Sequence, residues 1–373
     1  MKDLSDEGGG ALFPHEPVAY VDELLRQCLQ LHATDLHWEP EENGYQVRVR
    51  VDGLLRRLDA LEDEAFCMSV SSRIKLLAGM DIGQKRLPQD GSFVWEGAGR
   101  KVPVRVSTIP TVAGEKLVLR ILDGRRFRDL DSLGMGGFMQ QLLRRALDRP
   151  GLVLVTGAAG AGKTTTLYTI LQQLRLEQLN VVTLEEPVEY RLDGVYQIQI
   201  NRLSGLDFAG GLRAVMRQDP DVIFVGEIRD PETARMALRA AMTGHLVLST
   251  LHTAEACQAP LRLMEMGVEP YLVAAGLNAV LAQKLVRNVC PSCHGLTTAC
   301  ARCNGSGYVG RTGVFQLLVM APALREMLLE APSLISFRER AQAGHWLTTS
   351  PRFEQEEPLF LKPLQQEKGA IPS

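Results

Sequence analysis

The sequence predicts an α/β protein in two domains, and three observations lead there. The chain has 373 residues, 45% of them hydrophobic, which is enough for two packed cores and large for one. Up to residue 123 the strand-like segments alternate apolar with charged side chains, the mark of a sheet with one wet face. From Pro150 they become continuous apolar runs, the mark of a parallel sheet covered on both sides. Between the first such run and the helix after it stands GAAGAGKT, residues 157–164, which fits the glycine-rich phosphate loop G-x-x-x-x-G-K-[ST].

Taken in order, residues 1–16 begin MKDLSDEGGG and read as a flexible N-terminus; acidic residues stand where an export signal needs basic ones, so export is not expected. Residues 17–32, PVAYVDELLRQCLQLH, space apolar side chains three and four apart, an amphipathic helix that opens an N-terminal α+β domain over 17–123. YQVRVRVDGLL (45–55), KVPVRVSTIP (101–110) and EKLVLRIL (115–122) read as period-two strands of a half-exposed sheet. The segment 124–137, GRRFRDLDSLGMGG, has no clean period and ends in glycines, which places a linker over 124–149. The second domain, 150–349, carries GLVLVTG, a helix from Lys163, NVVTLEE, VIFVGE and HLVLSTLHT in succession. Residues 350–373 are rich in Pro, Glu and Gln and short of periodic apolar positions, so a flexible tail is expected.

Charge narrows the function classes. With 41 basic and 44 acidic residues there is no basic field to draw nucleic acid, and direct binding to it is not expected. No apolar run reaches the roughly 18 uncharged residues of a spanning helix. The run after Tyr271 is broken by Asn278, Gln283 and Lys284, so membrane association would be peripheral.

The phosphate loop implies ATP or GTP. Gly157, Gly160 and Gly162 let the backbone curl so that amides face the phosphates at a helix N-terminus, with Ala158, Ala159 and Ala161 contributing main chain only. Lys163 reaches the β and γ oxygens, Thr164 offers a hydroxyl to Mg²⁺, and Thr165 closes the nucleotide-binding segment. Three carboxylates stand at strand ends, where open α/β sheets bind ligands. Glu185 and Glu186, in TLEEPVEY (183–190), are candidates to face the metal or its water, one or both of them; Glu227, after VIFV, is the preferred catalytic carboxylate, placed to polarise the attacking water. The competing reading is that these glutamates cap the following helices. His252 ends the HLVLSTLHT strand and is a phosphate-sensing candidate, against the plain alternative of a hydrogen-bonded structural histidine; for His245 the two readings balance.

Together these residues resemble the secretion ATPases of type II secretion, type IV pili and competence pseudopili. The resemblance runs over about 17–345 and rests on ATDLHWEP (33–40), RVDGLL (50–55), RLPQDG (86–91), RVSTIPTVAGEKLVLR (105–120), the phosphate loop, TLEEPVEY, RQDPDVIFVGEIRD (217–230) and TGHLVLSTLHT (243–253). It implies a PAS-like N-terminal α+β domain, then a RecA-like P-loop domain with a small zinc-binding insertion, six subunits in a ring, and a platform protein in the inner membrane as partner. It also implies that Arg105 and Arg120 are the N-terminal-domain arginines that approach the γ-phosphate, and that Arg213, Arg217 and Arg229 are motif arginines of the motor domain, Arg217 and Arg229 being equally readable as salt-bridge residues. Glu186 stands where the family usually has Asp, so the metal-facing role shifts by one methylene or passes to Glu185. The chain begins close to ATDLHWEP, which fits the short competence-type members.

Cys290, Cys293, Cys300 and Cys303 form C-x₂-C-x₆-C-x₂-C, a spacing that closes a tetrahedral Zn²⁺ site with no open position, so its role is expected to be structural. His294 is the less favoured ligand. In the family the cluster goes with assembly motors and is scarce in retraction motors, so assembly is the expectation. GYVGRTGVFQLL (307–318) resembles the family's next motif, with Gln316 where Glu is usual. The reading is therefore a cytoplasmic hexameric ATPase that drives a pilus-like fibre or pseudopilus. Against it stand a nucleotide-binding switch or kinase, a retraction motor, a DNA-pumping ring and an inactive structural ring.

Overall fold

A computed structural model describes residues 14–354 apart from 98, 123–128, 175, 298 and 304. The flexible ends expected at 1–16 and 350–373 lie almost wholly outside these residues, as does the start of the 124–149 linker. The chain divides into two compact units. Unit 1 comprises the chain up to Arg128 with Glu186–Asp193 and Arg287–Arg311; unit 2 comprises Asp129–Glu185, Gly194–Val286 and the chain from Thr312.

Unit 1 opens with α1 (Pro17–Gln30), β1 (Asp35–Glu41), β2 (Gly44–Val51), β3 (Leu54–Leu61), α2 (Glu64–Leu77), β4 (Gln89–Gly97), β5 (Arg100–Thr111) and β6 (Gly114–Ile121). Helix α1 starts where Pro17 fits the first turn and the Glu16 carboxylate accepts the Ala19 N–H; it buries Tyr20, Val21, Leu24, Leu25 and Cys28, the stripe its spacing predicts. The six strands form one antiparallel sheet in the order β3-β2-β1-β6-β5-β4. Its pleat sorts side chains by parity. Leu36, Trp38, Val47, Val49, Val104, Val106, Leu117 and Leu119 join the α1 and α2 side chains in the unit's core, whereas Asp35, His37 and Glu39 belong to the opposite, charged face. The stretch 45–55, read as one strand, is interrupted at Asp52-Gly53, where both residues take positive φ and turn the chain into β3.

Unit 2 contains α3 (Gly137–Leu147), β7 (Gly151–Thr156), α4 (Lys163–Gln173), β8 (Val181–Glu185), β9 (Tyr196–Gln199), α5 (Phe208–Val215), β10 (Val222–Val225), α6 (Pro231–Met242), β11 (Leu246–Leu251), α7 (Gln258–Glu265), α8 (Pro270–Gly276), β12 (Leu277–Val289), β13 (Tyr308–Val319), α9 (Pro322–Leu329), α10 (Leu334–Ala343) and β14 (Leu347–Thr349); β12 and β13 run on into unit 1. Helix α3 occupies much of the stretch read as linker. The sheet order is β14-β13-β12-β7-β11-β10-β8-β9, and β12, β7, β11, β10, β8 and β9 are parallel neighbours. Every residue of β7, β8, β10 and β11 is buried, as expected for strands covered by helices on both faces. Among the described residues no helix is long and apolar enough to cross a membrane.

Candidate nucleotide site and tetracysteine cluster

The phosphate loop leaves the carboxyl end of β7, the central position that a doubly wound sheet offers to ligands. Its glycines answer to close packing as well as to curvature. Gly157 and Gly162 both have positive φ, and a Cβ would stand 2.4 Å from the Gln283 carbonyl oxygen at the first and 2.9 Å from the Gln283 side-chain nitrogen at the second. Ala158, Ala159 and Gly160 are exposed at the crest of the loop, Ala161 is buried beneath it, and Lys163, Thr164 and Thr165 are half-buried in the first turn of α4. The Lys163 ammonium folds back over the loop and donates to the carbonyls of Gly157 (2.8 Å) and Ala158 (3.1 Å). Burial pushes it below its ordinary pKa, and the Glu227 carboxylate partly opposes that.

Glu227 lies just past β10 with its side chain 15% exposed. Arg229 pairs with one carboxylate oxygen at 2.5 Å, and His252 Nε2 lies 3.7 Å from the other. Its backbone is held from both sides by one residue. The Thr250 hydroxyl of β11 donates to the Gly226 carbonyl (2.7 Å), and the Thr250 carbonyl accepts the Ile228 N–H (3.0 Å). Next to it, the Ser249 hydroxyl donates to the Val225 carbonyl (2.6 Å). Lys163, Glu227, Arg229 and His252 thus belong to one constellation in unit 2. The sequence named Arg229 without a contact, and Thr250 and Ser249 only as letters of the HLVLSTLHT motif.

The other candidates separate. Glu185 is buried, and its carboxylate accepts from the hydroxyls of Tyr168 and Thr183 (2.6 Å for Thr183) and from the Gln197 amide (3.1 Å), so its oxygens are engaged inside the sheet edge. Glu186, its neighbour, is exposed and precedes a cis bond to Pro187. His245 caps the C-terminal end of α6, with Nδ1 2.9 Å from the Ala240 carbonyl. Arg213 pairs with Glu232 (2.6 Å), and Arg217 donates to the Arg213 carbonyl (2.8 Å). Gln316 accepts the buried Ala256 N–H (2.9 Å).

In unit 1 the strand register sets Arg50, Asp35, Arg120 and Arg105 side by side across β2, β1, β6 and β5, one row on the charged face. Arg120 bonds Asp35 at 3.0 Å and Arg50 stands 3.9 Å from it, while Arg105 donates to the Val188 carbonyl (3.1 Å) and pairs with Glu189 (3.2 Å). Glu189, the last glutamate of TLEEPVEY, is therefore the carboxylate that Arg105 engages. Arg50 and Arg120 share Asp35 while Arg105 engages Glu189, so three guanidiniums meet two carboxylates and the row keeps a net positive charge.

The four cysteine sulfurs all lie within 4.8 Å of one another, with Cys290–Cys300 at 3.9 Å and Cys293–Cys303 at 3.6 Å. A tetrahedron of Zn–S bonds of about 2.3 Å sets its sulfurs about 3.8 Å apart, so the thiols fit the ion. They lie between β12 and β13 in unit 1, where Asp52 accepts the Gly310 N–H (2.7 Å).

Residues 15–353 match the family described as type II/IV secretion system protein. The chain is 45% identical over 352 residues to the type II secretion system protein HxcR of Pseudomonas aeruginosa, covering 92% of this chain and 74% of that one. It is 42% identical over 359 residues to the type II secretion system ATPase E of Vibrio cholerae, covering 90% and 70%. Among solved structures, that of the pilus retraction motor PilT with bound ADP superposes with a TM-score of 0.64 at 26% identity, over 91% of this chain and 97% of the other. The chain belongs to the type II/IV secretion system family and is an ATP-hydrolysing motor of the secretion and pilus type.

Proposed function

We propose that the chain hydrolyses ATP at the loop 157–165, with Glu227 as the carboxylate that polarises the attacking water and Lys163 and Mg²⁺-bound Thr164 offsetting the charge on the phosphates. The observation that carries this reading is the constellation in unit 2: a phosphate loop at the end of β7 and, past β10, a carboxylate whose backbone Thr250 holds and which Arg229 and His252 face. His252 and Arg229 lie against that carboxylate, which suits His252 to the phosphate-sensing role. Glu185, engaged by Tyr168, Thr183 and Gln197 inside the sheet edge, is the less suited of the two, which favours Glu186 as the carboxylate that meets the metal's water. Arg105 and Arg120 supply the second set of positive charges for the γ-phosphate, within one chain or across a ring.

For the whole machine we infer a homo-hexamer on the cytoplasmic face of the inner membrane, docked on a platform protein, that assembles a pseudopilus or pilus-like fibre. The relatives named for type II secretion support that direction. So does the tetracysteine cluster, which would hold a structural Zn²⁺ through Cys290, Cys293, Cys300 and Cys303 as a small zinc-binding insertion. A parallel sheet with the loop at its centre supports the RecA-like reading of unit 2, and one antiparallel sheet with helices on one face supports the PAS-like reading of unit 1. Retraction is the second reading, favoured by the likeness to PilT.

The test is steady-state ATP hydrolysis by the wild type, Lys163→Ala and Glu227→Gln, with nucleotide binding and light-scattering mass in parallel. Lys163→Ala is expected to lose binding and turnover, and Glu227→Gln to bind ATP while losing about 10²-fold or more in rate, the value of a positioned general base. Wild-type protein that binds ATP as a monomer without turnover, even with membranes and platform protein, supports a switch instead.

A further inference from the structure

Strand β12 lies beside β7, on the side away from β11, and Ala282 is the register partner of Thr156, the last residue before the phosphate loop. The next residue, Gln283, is 2% exposed. Its side-chain oxygen accepts the hydroxyl of Thr166 (2.6 Å), a wholly buried residue in the first turn of α4, and its amide donates to the Ala161 carbonyl (2.8 Å) at the foot of the loop. A carbonyl only accepts, so the amide nitrogen must face Ala161, and the oxygen is left for Thr166. Only a side chain that ends in a donor and an acceptor makes both bonds, and asparagine is one methylene shorter. The main chain of Gln283 meets the loop as well, packed so closely that Gly157 has no room for a Cβ.

We propose that Gln283 is a positioning residue for nucleotide binding: it buckles the loop to the start of α4 and so fixes the directions of the amides that hold the phosphates. This rests on the reading of 157–165 as the ATP site. Glu227 is held separately, by β10 and β11, so Gln283 should set the grip on nucleotide and leave the hydrolytic carboxylate in place.

The experiment measures dissociation constants of ADP and ATP with a fluorescent nucleotide, together with kcat and KM, for full-length wild type, Gln283→Leu, Thr166→Val, the double variant and Lys163→Ala, all at a temperature where each is folded by circular dichroism. Gln283→Leu is expected to raise the dissociation constants and KM about tenfold, in line with loss of two buried hydrogen bonds, with kcat at saturating ATP within about threefold of wild type. Adding Thr166→Val to it should cost less than Thr166→Val alone, because the two share a bond. Should Gln283→Leu fail to fold, Thr166→Val alone carries the test, with a weaker but like-signed shift in affinity. Dissociation constants within twofold of wild type, or kcat falling as far as affinity, overturn the proposal while a loss of binding in Lys163→Ala preserves the site. Unchanged binding in Lys163→Ala overturns the site and the proposal together.

Discussion

Thr250→Val tests whether the hydrolytic carboxylate is aimed by its neighbouring strand. The substitution keeps the shape of the side chain and removes one hydroxyl, hence the 2.7 Å bond to the Gly226 carbonyl, while the bond from the Ile228 N–H to the Thr250 carbonyl is untouched. Thr250 is 5% exposed, so the Gly226 carbonyl has little access to water to replace its partner. Leaving a buried acceptor unmet costs about 1–3 kcal/mol, which in a unit of this size lowers the melting temperature by several degrees. Catalysis should suffer separately, because Glu227 is then held on one side only and a displacement of about 1 Å can cost about 10²-fold in rate. The expected result is kcat lower by about ten- to a hundredfold, with KM for ATP within about twofold, since the loop and Lys163 are not touched. Thr250→Ser retains the hydroxyl and should restore most of kcat. Stopped-flow phosphate release on protein at matched folded fraction reads both numbers. A variant that loses stability but turns over at the wild-type kcat would refute the idea that Thr250 aims Glu227.

Two further outcomes concern unit 1. Burial pushes the Glu39 carboxyl up, but hydrogen bonds from Arg48 and Lys116 outweigh it and hold the pKa at about 2. A depressed carboxyl stabilises the fold above its unfolded value, so this contribution is complete above about pH 4.5 and fades as pH falls toward about 2; after allowance for solvent screening it amounts to about 1–2 kcal/mol. Urea unfolding of wild type and Glu39→Gln should therefore differ most at pH 6 and converge near pH 2.5, and a gap that ignores pH counts against the pairing. Chelation, or Cys290→Ser, should release one zinc per chain by atomic absorption and lower the melting temperature, because a closed four-thiolate site adds its binding free energy to folding.

Much of the candidate nucleotide site is legible in the sequence because its chemistry is local. GAAGAGKT needs only its own backbone and the helix it opens, and Lys163, Thr164 and the strand-end glutamates could be placed from hydrophobic runs alone. What distinguishes the three glutamates is mostly not local: Glu185 is engaged by Thr183, two residues back on the same face of β8, but also by Tyr168 of α4 and Gln197 of β9, which no spacing rule links to it. Arg105 and Arg120 were separable as candidates, but their side-by-side register, with Asp35 between Arg50 and Arg120, is a property of strand pairing. Strand β1 was missed as a strand although ATDLHWEP alternates, because Pro40 and the flanking charges mask a short period. Strand β12 was hidden because an apolar segment that follows a helix without a break can be read as either element. The usable signal there was Gln283 itself, a lone amide in LNAVLAQKLV, since a buried amide is kept only where partners meet it.

On the proposed assignment, the order of the parallel sheet accounts for binding and hydrolysis being tuned by different residues. Strand β7 delivers the phosphate loop and has two neighbours. On one side β12 reaches the loop through Gln283; on the other β11 reaches past β7's own chemistry to Glu227 through Thr250. An interaction that grips nucleotide equally in ground and transition states lowers KM, whereas one that aims the attacking water acts on kcat. The two clamps sit on opposite flanks of β7 and, among the described residues, share no hydrogen bond, so a change in one is expected to leave the geometry of the other intact. A motor needs that separation, since nucleotide must stay bound while hydrolysis is held off or released; on the proposed assignment of Glu227, Arg229 and His252 lie against its carboxylate and give that control a place to act apart from the loop.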